Sequence, residues 1–408
     1  MDEQVINPAA SQLQETARVA QSAQSAQLDL FDSAESAPRF QVALADEVER
    51  ALQCAAPVFM AVSGGKDSQA LAHRVCEYLD VTGHRGPRLL IHSDLGRVEW
   101  RQSLPVCERL AERLGIELVV VRRQAGDMMD RWLSRWDANV ARYANLDCVK
   151  LILPWSTPAI RFCTAELKSA VLARAMRKRF PSGELISAVG IRREESATRA
   201  RMPVWRPDPR TMRRAGIGHT WHPLLNWSRG EVLAYIKSRG DVLHEAYTIY
   251  GSSRVSCAFC IMSSAHDLRA AASCADNEVI YREMVELEIR STFSFQGDRW
   301  LGDVAPSLLD ALMRSRLQEA KERAGERKQA EALLPAHLLF VKGRPTVMPT
   351  AGEAQLIADV RRRVAQAVGL AVGYTDGSAV LMRYGELMGP TPPSESALAE
   401  SDSGGYAT

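Results

Sequence analysis

Short apolar runs recur along the first half of the sequence, and a longer mixed segment separates each run from the next. Four runs have the length of a buried strand, and they lie at Val58–Val62, Arg88–His92, Glu117–Val121 and Glu184–Gly190. The segments between them, such as Gln69–Leu79, are compatible with helices. This alternation predicts an α/β fold, in which helices cover both faces of a doubly wound parallel sheet.

The rest of the pattern divides the chain into five parts. We expect a disordered tail over residues 1–38, a nucleotide-binding α/β domain over 39–243, a cysteine-rich and helical segment over 244–300, a helical or mixed appendage over 301–388 and a disordered tail over 389–408. A charged, Ala-rich stretch predicts one long surface helix over Leu308–Leu334. The C-terminal additions to the sheet are therefore expected to be mainly helical.

The first apolar run is followed by a loop of small and polar residues, and a helix-compatible segment comes directly after that loop. The loop reads Ser63-Gly64-Gly65-Lys66-Asp67-Ser68. A strand, a glycine turn and a helix N-terminus in this order direct free backbone N–H groups and the positive end of the helix dipole at one point. Lysine adds a point charge, the serines add hydroxyl donors, and the aspartate can hold Mg²⁺ against phosphate oxygens. The loop therefore predicts a phosphate-binding site, with Lys66 and Asp67 as the catalytic candidates.

Two other strand ends carry candidate ligand-binding residues. Asp94 follows the second run, and Gly190 ends the fourth, two residues before Arg192. Ligands of open parallel sheets bind at the carboxyl ends of the strands, where Ser63 also lies. A carboxylate at Asp94 suits a ribose hydroxyl or Mg²⁺, although a helix cap is the alternative, and a glycine beside an arginine suits an anion.

Cationic residues cluster in two further places. Arg161 and Lys168 flank a short block and could bracket a phosphate or a sulfate. Residues 199–214 carry six arginines around Trp205, at positions 199, 201, 206, 210, 213 and 214. Such a loop suits a DNA or RNA backbone, while a merely flexible charged loop is the alternative interpretation.

Composition limits the class of protein only broadly. Hydrophobic residues make up 46% of the chain and charged residues 25%, as in ordinary soluble proteins. The net charge of +2 argues against wholesale polyanion binding, so any nucleic-acid contact must come from local patches. No apolar run is long enough for a membrane span, and the acidic N-terminus lacks a signal core, which predicts a cytoplasmic protein.

Eight cysteines in a cytoplasmic chain favour thiols or metal ligands over disulfides. Cys257 and Cys260 form a C-x-x-C pair whose sulfurs can reach one metal, and Cys274 and Cys163 complete a possible set of four. Four thiolates suit either a [4Fe–4S] cluster or a tetrahedral Zn²⁺, and free or redox thiols are the other interpretation. Cys148 is a reserve candidate for the fourth ligand.

Five motifs occur in a collinear order that resembles the phosphoadenosine phosphosulfate (PAPS) reductase family, within the ATP-pyrophosphatase or adenine nucleotide α-hydrolase superfamily. They are S-G-G-K-D-S at 63, D-L-G-x-x-E at 94, R-F-C-T-x-x-L-K at 161, G-I-R-x-x-E-S at 190 and S-R-V-S-C-x-x-C at 253. Within the family the chain is most similar to the branch that contains the sulfur-incorporating ATPase of DNA phosphorothioation.

The resemblance implies an ATP-using enzyme with the nucleotide bound by residues 63–68 and a cluster on Cys163, Cys257, Cys260 and Cys274. Such an enzyme would cleave ATP at the α-phosphorus and adenylylate a substrate, perhaps a nucleic acid, for sulfur transfer from an unidentified donor protein. PAPS or adenosine phosphosulfate reduction is the first alternative. The family's reductases carry a nucleophilic cysteine in a C-terminal Glu-Cys-Gly-Leu-His segment, whereas no cysteine follows Cys274 in this sequence.

A tail motif motivates the second alternative, a nucleotide-sensing, DNA-associated regulatory protein without turnover. Gln27-Leu28-Asp29-Leu30-Phe31 stands alone as an apolar island and resembles the pentapeptide that binds the bacterial sliding clamp. Its apolar side chains would fill a groove on the clamp while Gln27 supplies an orienting hydrogen bond. A staple between the tail and the folded domain is the other interpretation.

Overall fold

Six strands form one sheet in a computed structural model of the protein, which describes residues 40–212 and 216–389. The strands are β1 (Val58–Val62), β2 (Arg88–Asp94), β3 (Glu117–Arg122), β4 (Gly183–Ala188), β5 (Trp205–Pro207) and β6 (Gly216–Trp221). They lie in the order β3-β2-β1-β4-β6-β5, and all neighbours are parallel except β5, which pairs antiparallel with β6. The predicted α/β fold is confirmed.

Helices follow most strands and continue beyond the sheet. They are α1 (Asp46–Gln53), α2 (Lys66–Val81), α3 (Ser103–Leu114), α4 (Met128–Ala144), α5 (Phe162–Thr164), α6 (Ala170–Arg179), α7 (Ala197–Ala200), α8 (Arg229–Ser238), α9 (Glu245–Thr248), α10 (Ala265–Ala272), α11 (Glu278–Ser291), α12 (Ala311–Ala332), α13 (Ala351–Val368) and α14 (Gly377–Met388). A π-helical turn, Ala165–Ser169, joins α5 to α6. Short 3₁₀ turns lie at Gly96–Val98, Arg193–Glu195, Ala275–Asn277, Leu301–Asp303, Pro306–Leu308 and Ala336–Leu338.

The strand order places a topological switch point beside β1. Val58 pairs in register with Arg88 of β2 on one side and with Ile186 of β4 on the other. The chain leaves β1 towards β2 and later returns to β1's opposite side with β4, so the loops after β1 and β4 diverge from a crevice at their carboxyl ends. Ligands of open α/β sheets bind in such a crevice. The loop at residues 63–65 therefore starts where the topology favours a ligand.

Two clusters of buried apolar side chains among the described residues show how the elements pack. A smaller one joins the sheet to α6 and contains Phe59, Leu89, Ile91, Met176 and Leu185. A larger one joins α4 to the helices from α10 onward, with Trp132, Trp155, Tyr281 and Ile357 among its members. The C-terminal helices thus share one core with α4, and the chain from Val42 onward forms one compact unit. The predicted domain borders within it stay predictions.

The sequence pattern missed two strands and understated the burial of one helix. β5 is a three-residue edge strand that ends in Pro207, and β6 reads Gly-Ile-Gly-His-Thr-Trp, so neither has a continuous apolar run. The long helix predicted over Leu308–Leu334 is present as α12, but Leu317, Ala320 and Ala330 on one face are buried.

Several predictions fall on residues that the structure does not describe. They are most of the two tails, the clamp-like Gln27–Phe31 and two arginines of the basic loop, at 213 and 214. Among the described residues, every helix is too short or too polar to cross a lipid bilayer.

Candidate active site at the carboxyl edge of the sheet

The loop after β1 requires glycine at its second position. Gly64 has φ +72°, a left-handed conformation that side-chain-bearing residues rarely adopt. A Cβ there would lie 2.9 Å from the Ser103 carbonyl oxygen and 3.2 Å from Cδ2 of His244. The backbone is therefore pressed against two neighbouring segments, and glycine is needed both for the conformation and for the approach.

The same loop presents backbone donors at the start of α2, whose N-cap is Gly65. Among the described residues, the amide groups of Gly64, Gly65 and Asp67 donate to no acceptor. Ser63 N–H donates to Oγ of Ser68 at 3.2 Å, and that hydroxyl donates to the Gly65 carbonyl at 2.8 Å. The Ser68 side chain thus braces the loop, and the free amides lie at the positive end of the helix dipole, an arrangement that suits an anion.

Lys66 places a cation at this loop. The residue is only 5% exposed, and its Nζ lies 3.1 Å from Oδ2 of Asp67. Nζ also lies 5.3 Å from the centre of the Tyr247 ring, within range of a cation–π interaction. The Lys66 ammonium group is therefore buried, with Asp67 as its carboxylate partner.

The loop after β4 fixes the other side of Asp67. Arg192 is 4% exposed, and its Nε donates to Oδ1 of Asp67 at 2.6 Å. Nη1 of the same arginine donates to Glu194. A Cβ on Gly190 would lie 2.8 Å from the Asp67 carbonyl oxygen, so glycine allows this loop to touch the start of α2. The predicted residues Asp67, Gly190 and Arg192 therefore lie together, and Arg192 acts as a positioning residue.

Two residues of this site were missed by the sequence analysis. Tyr247 OH accepts hydrogen bonds from the amides of Lys66, at 3.3 Å, and Val255, at 3.1 Å, and burial raises the pKa of its phenol to about 12. His244 accepts at Nδ1 from Ala246 N–H at 2.9 Å, and burial lowers the pKa of its imidazole to about 4. Both side chains are therefore neutral near pH 7, and they line the loop. No local motif marks either of them.

Asp94 lies at the same edge of the sheet, but its carboxylate is already engaged. Oδ1 accepts from Gly96 N–H at 2.7 Å, and Oδ2 accepts from Nε of Arg122 at 3.0 Å. These contacts fix the turn after β2, as a capping carboxylate does. The predicted contact of Asp94 with ribose or Mg²⁺ stays a prediction.

Three of the four predicted cysteine ligands lie near one another. Burial raises the pKa of the Cys257 thiol to about 12, the positive charge of Lys168 opposes the rise, and Cys260 and Cys163 add to it. Cys274 instead pairs with Tyr250, whose phenol pKa it raises to about 12. Within residues 40–212 and 216–389, no group of three or more His, Cys, Asp or Glu side chains has the geometry of a metal site. As placed, the four thiols do not form a ligand set, and a cluster on them stays a prediction.

The predicted basic regions are partly neutralised. Arg199 pairs with Glu195, and Arg210 pairs with Asp208 at 2.9 Å, while the Trp205 indole donates to Nδ1 of His219 at 2.7 Å. Arg161 is exposed and donates to Oγ1 of Thr164 at 3.2 Å. Nucleic-acid binding by the 199–214 loop stays a prediction.

The fold and the loop together define an α/β protein with a glycine turn and a helix N-terminus at its topological switch point. Within that class, the chain belongs to the phosphoadenosine phosphosulfate reductase domain family, which matches residues 57–261. The matched region begins just before β1 and ends just after Cys260. It therefore contains the loop, the residues Tyr247 and His244 that line it, and the C-x-x-C pair.

One relative and two solved structures are similar to parts of the chain. An uncharacterized 37.8 kDa protein of Escherichia phage 186 is 26% identical over 243 residues, which are 51% of this chain and 68% of that protein. A PAPS reductase from Candida auris, solved with phosphate, is 16% identical with a TM-score of 0.34, covering 52% of this chain and 86% of its own. The U34-tRNA thiolase NcsA of Methanococcus maripaludis, solved with its [4Fe–4S] cluster, is 16% identical with a TM-score of 0.32, covering 59% and 77%. No functional conclusion follows from likenesses this weak.

Proposed function

We propose that this protein is an ATP-dependent enzyme that cleaves ATP at the α-phosphorus and adenylylates an oxygen of its substrate for sulfur transfer. One observation carries the proposal: three backbone amides without an acceptor among the described residues and the buried ammonium group of Lys66 all belong to the loop at the start of α2. That arrangement suits the pyrophosphate end of a nucleotide, and membership of the PAPS reductase family supports it.

The chemistry would proceed by displacement at phosphorus. A substrate oxygen would bond to the α-phosphorus while the bond from that phosphorus to the bridging oxygen breaks, and pyrophosphate would leave. Lys66 and the loop amides would stabilise the charge that grows on the pyrophosphate, as preorganised donors do. A sulfur nucleophile would then displace AMP from the activated substrate. Membership of the branch of the family that acts in DNA phosphorothioation is part of the same proposal.

Asp67 is the carboxylate that would hold Mg²⁺ against the phosphate oxygens. Magnesium sites of this kind need only one or two carboxylates, because phosphates and water supply the other oxygens. Arg192 would keep that carboxylate oriented through its 2.6 Å contact. A cluster on the four cysteines remains a prediction with no role in this scheme.

The test is ATP–pyrophosphate exchange in the full chain. Lys66→Ala should reduce exchange by a factor of about 10² to 10³, the usual cost of losing one transition-state donor. Lys178→Ala is the matched control, because Lys178 is exposed on α6, outside the site. Equal exchange in wild type and Lys66→Ala would refute the proposal. Tight ATP binding without exchange would instead favour the nucleotide-sensing alternative.

Family membership also keeps PAPS reduction as a second candidate. It needs an external thiol reductant, and the sequence has no cysteine after Cys274 to act as the family's nucleophile. Release of sulfite from PAPS in the presence of reduced thioredoxin would favour this reaction over adenylylation.

A further inference from the structure

A cationic groove runs along α4, outside the loop described above. It encloses about 450 Å³ and is lined by nine residues, of which four are arginines and one is acidic. The charged members are Arg123, Arg131, Arg135, Arg142 and Glu166. The net charge of this lining is strongly positive in a protein whose total formal charge is only +2.

The arginines of α4 lie on one face of the helix because they are spaced by four and by seven residues. The two acidic residues of α4 face elsewhere: Asp130 pairs with Arg97, and Asp137 pairs with Arg290 at 2.5 Å. The helix therefore separates its charges, with the cations directed into the groove and the carboxylates neutralised outside it.

Three of the four guanidinium groups have no carboxylate partner among the described residues. Arg131 alone is paired, through a two-point contact with Glu166 at 2.6 and 2.9 Å. Arg135 and Arg142 each donate only to a backbone carbonyl, of Leu153 and Asp147, at 3.1 Å. Burial, followed by the charge of Arg131, lowers the pKa of Arg135. An anion in the groove would relieve this repulsion.

The row of cations is too long for a single phosphate. Arg131 and Arg142 are eleven residues apart, which is about 16 Å along a helix. A basic turn extends the row at its far end, since a Cβ on Gly343, between Lys342 and Arg344, would lie 3.7 Å from Nη2 of Arg142. A chain of phosphates, as in a nucleic-acid strand, has the length and the charge to match.

The groove offers cations but no free aromatic face. The guanidinium carbons of Arg131 and Arg135 lie 4.8 and 4.9 Å from the centre of the Phe162 ring, so that ring is already covered. Contacts would therefore go to phosphates rather than to stacked bases, which predicts binding that depends on salt and not on sequence.

We propose that the groove lined by Arg123, Arg131, Arg135 and Arg142 binds the phosphodiester backbone of a single-stranded nucleic acid. A flexible strand can enter a concave site, whereas a rigid duplex touches it from one side only. This binding does not depend on ATP cleavage by the 63–68 loop, because the two sites share no residue.

The first test places a carboxylate in the groove without removing any contact. Ala138 is exposed and lies three residues after Arg135 and four before Arg142. The affinity of the full chain for a fluorescent 15-nucleotide oligo(dT), measured by anisotropy in 50 mM salt, should fall about tenfold or more in Ala138→Glu. The matched control, Ala332→Glu, adds the same charge at an exposed position of α12 and should bind within twofold of wild type.

A second test removes two of the cations. Arg135→Gln with Arg142→Gln should weaken binding and lower the slope of log affinity against log salt by about 1.4, the value for two lost phosphate contacts on a single strand. Arg85→Gln with Arg363→Gln is the control, since both arginines are exposed and outside the groove. Circular dichroism checks that each variant is folded.

Four results would overturn the proposal. They are no binding by the wild type, equal losses in the groove and control variants, inorganic polyphosphate competing as well as an oligonucleotide of equal charge, and a duplex binding as tightly as the single strand. Lys66→Ala should still bind the oligonucleotide, so this proposal and the proposed enzymatic function can fail separately.

Discussion

Replacing Gly64 by alanine tests the geometry on which the candidate active site depends. Two costs act at this position. The residue has φ +72°, and an added Cβ would lie 2.9 Å from a backbone oxygen that cannot rotate away. Two other glycines separate these costs. Gly115 has φ +63° with no atom within 4 Å of its Cβ position, and Gly65 has a negative φ with neighbours no closer than 3.5 Å.

The expected losses in the free energy of unfolding follow from these contacts. A left-handed conformation costs a side-chain-bearing residue about 1–2 kcal/mol. Forcing a methyl group against packed backbone adds about 1–3 kcal/mol. Gly64→Ala should therefore lose about 2–5 kcal/mol, and Gly115→Ala about 1–2 kcal/mol. Gly65→Ala should stay within about 1 kcal/mol of wild type, since it has neither cost.

Urea unfolding monitored by tryptophan fluorescence measures all three variants, because the chain has 8 tryptophans. Binding of ATP by calorimetry is the second readout, and Gly64→Ala should weaken it, since a displaced loop misdirects its amides. If Gly64→Ala were as stable as Gly115→Ala, the close approach of Ser103 and His244 to the loop would be wrong in solution.

Three further changes probe groups that the fold buries. Arg192→Gln should lower the free energy of unfolding by about 3 kcal/mol, the loss expected for breaking a buried ion pair, and should reduce ATP–pyrophosphate exchange. The control is Arg193→Gln at the exposed neighbouring position, which should lower the free energy of unfolding by less than about 1 kcal/mol. The imidazole of His244 has a pKa of about 4 in the folded protein, below its value in the unfolded chain. Its contribution to stability is therefore present above about pH 6.5 and is lost as the pH falls through 4. In urea unfolding, wild type should lose about 3 kcal/mol more than His244→Gln over that range. Glu288→Ala should cost at least about 3 kcal/mol, because it leaves three buried amides unpaired, those of Phe295, Leu301 and Gly302. A thermal midpoint no lower than that of Glu286→Ala, at a half-buried position of the same helix, would contradict this.

The sequence predicts the strands that contain consecutive apolar residues. β1 is apolar throughout and nearly all buried, and β2 has an apolar centre at residues 89–91. β3 contains four apolar residues in a row, although its side chains are at most partly buried. β6 is also buried over Gly218–Trp221, but through glycine, histidine and threonine, whose pairing with neighbouring strands is decided by the fold and not by local pattern. β5 exists only because β6 offers it an edge. The local sequence pattern does not show which neighbouring strand a segment will pair with.

The same reasoning separates the two halves of the candidate site. Residues 63–68 are contiguous, and the chemistry of a phosphate loop depends on their order, so the motif could be found without a structure. Tyr247 hydrogen-bonds Lys66 across 181 residues of chain, and Arg192 reaches Asp67 across 125. Motif order indicated Arg192 but gave it no partner. Nothing in the local sequence of Tyr247 indicated that it lines the loop.

The region matched by the family and the region outside it contribute different features. The match, residues 57–261, contains every contact that shapes the loop. The helices from α10 onward lie outside it, yet they pack on α4, and Arg361 of α13 donates to the Tyr143 and Ala144 carbonyls at the end of that helix, at 2.8 and 3.1 Å. These contacts hold α4 in place, and the Lys342–Arg344 turn beside Arg142 also belongs to this part of the chain. The loop and its contacts thus lie within the matched region, whereas part of the support of α4 comes from outside it.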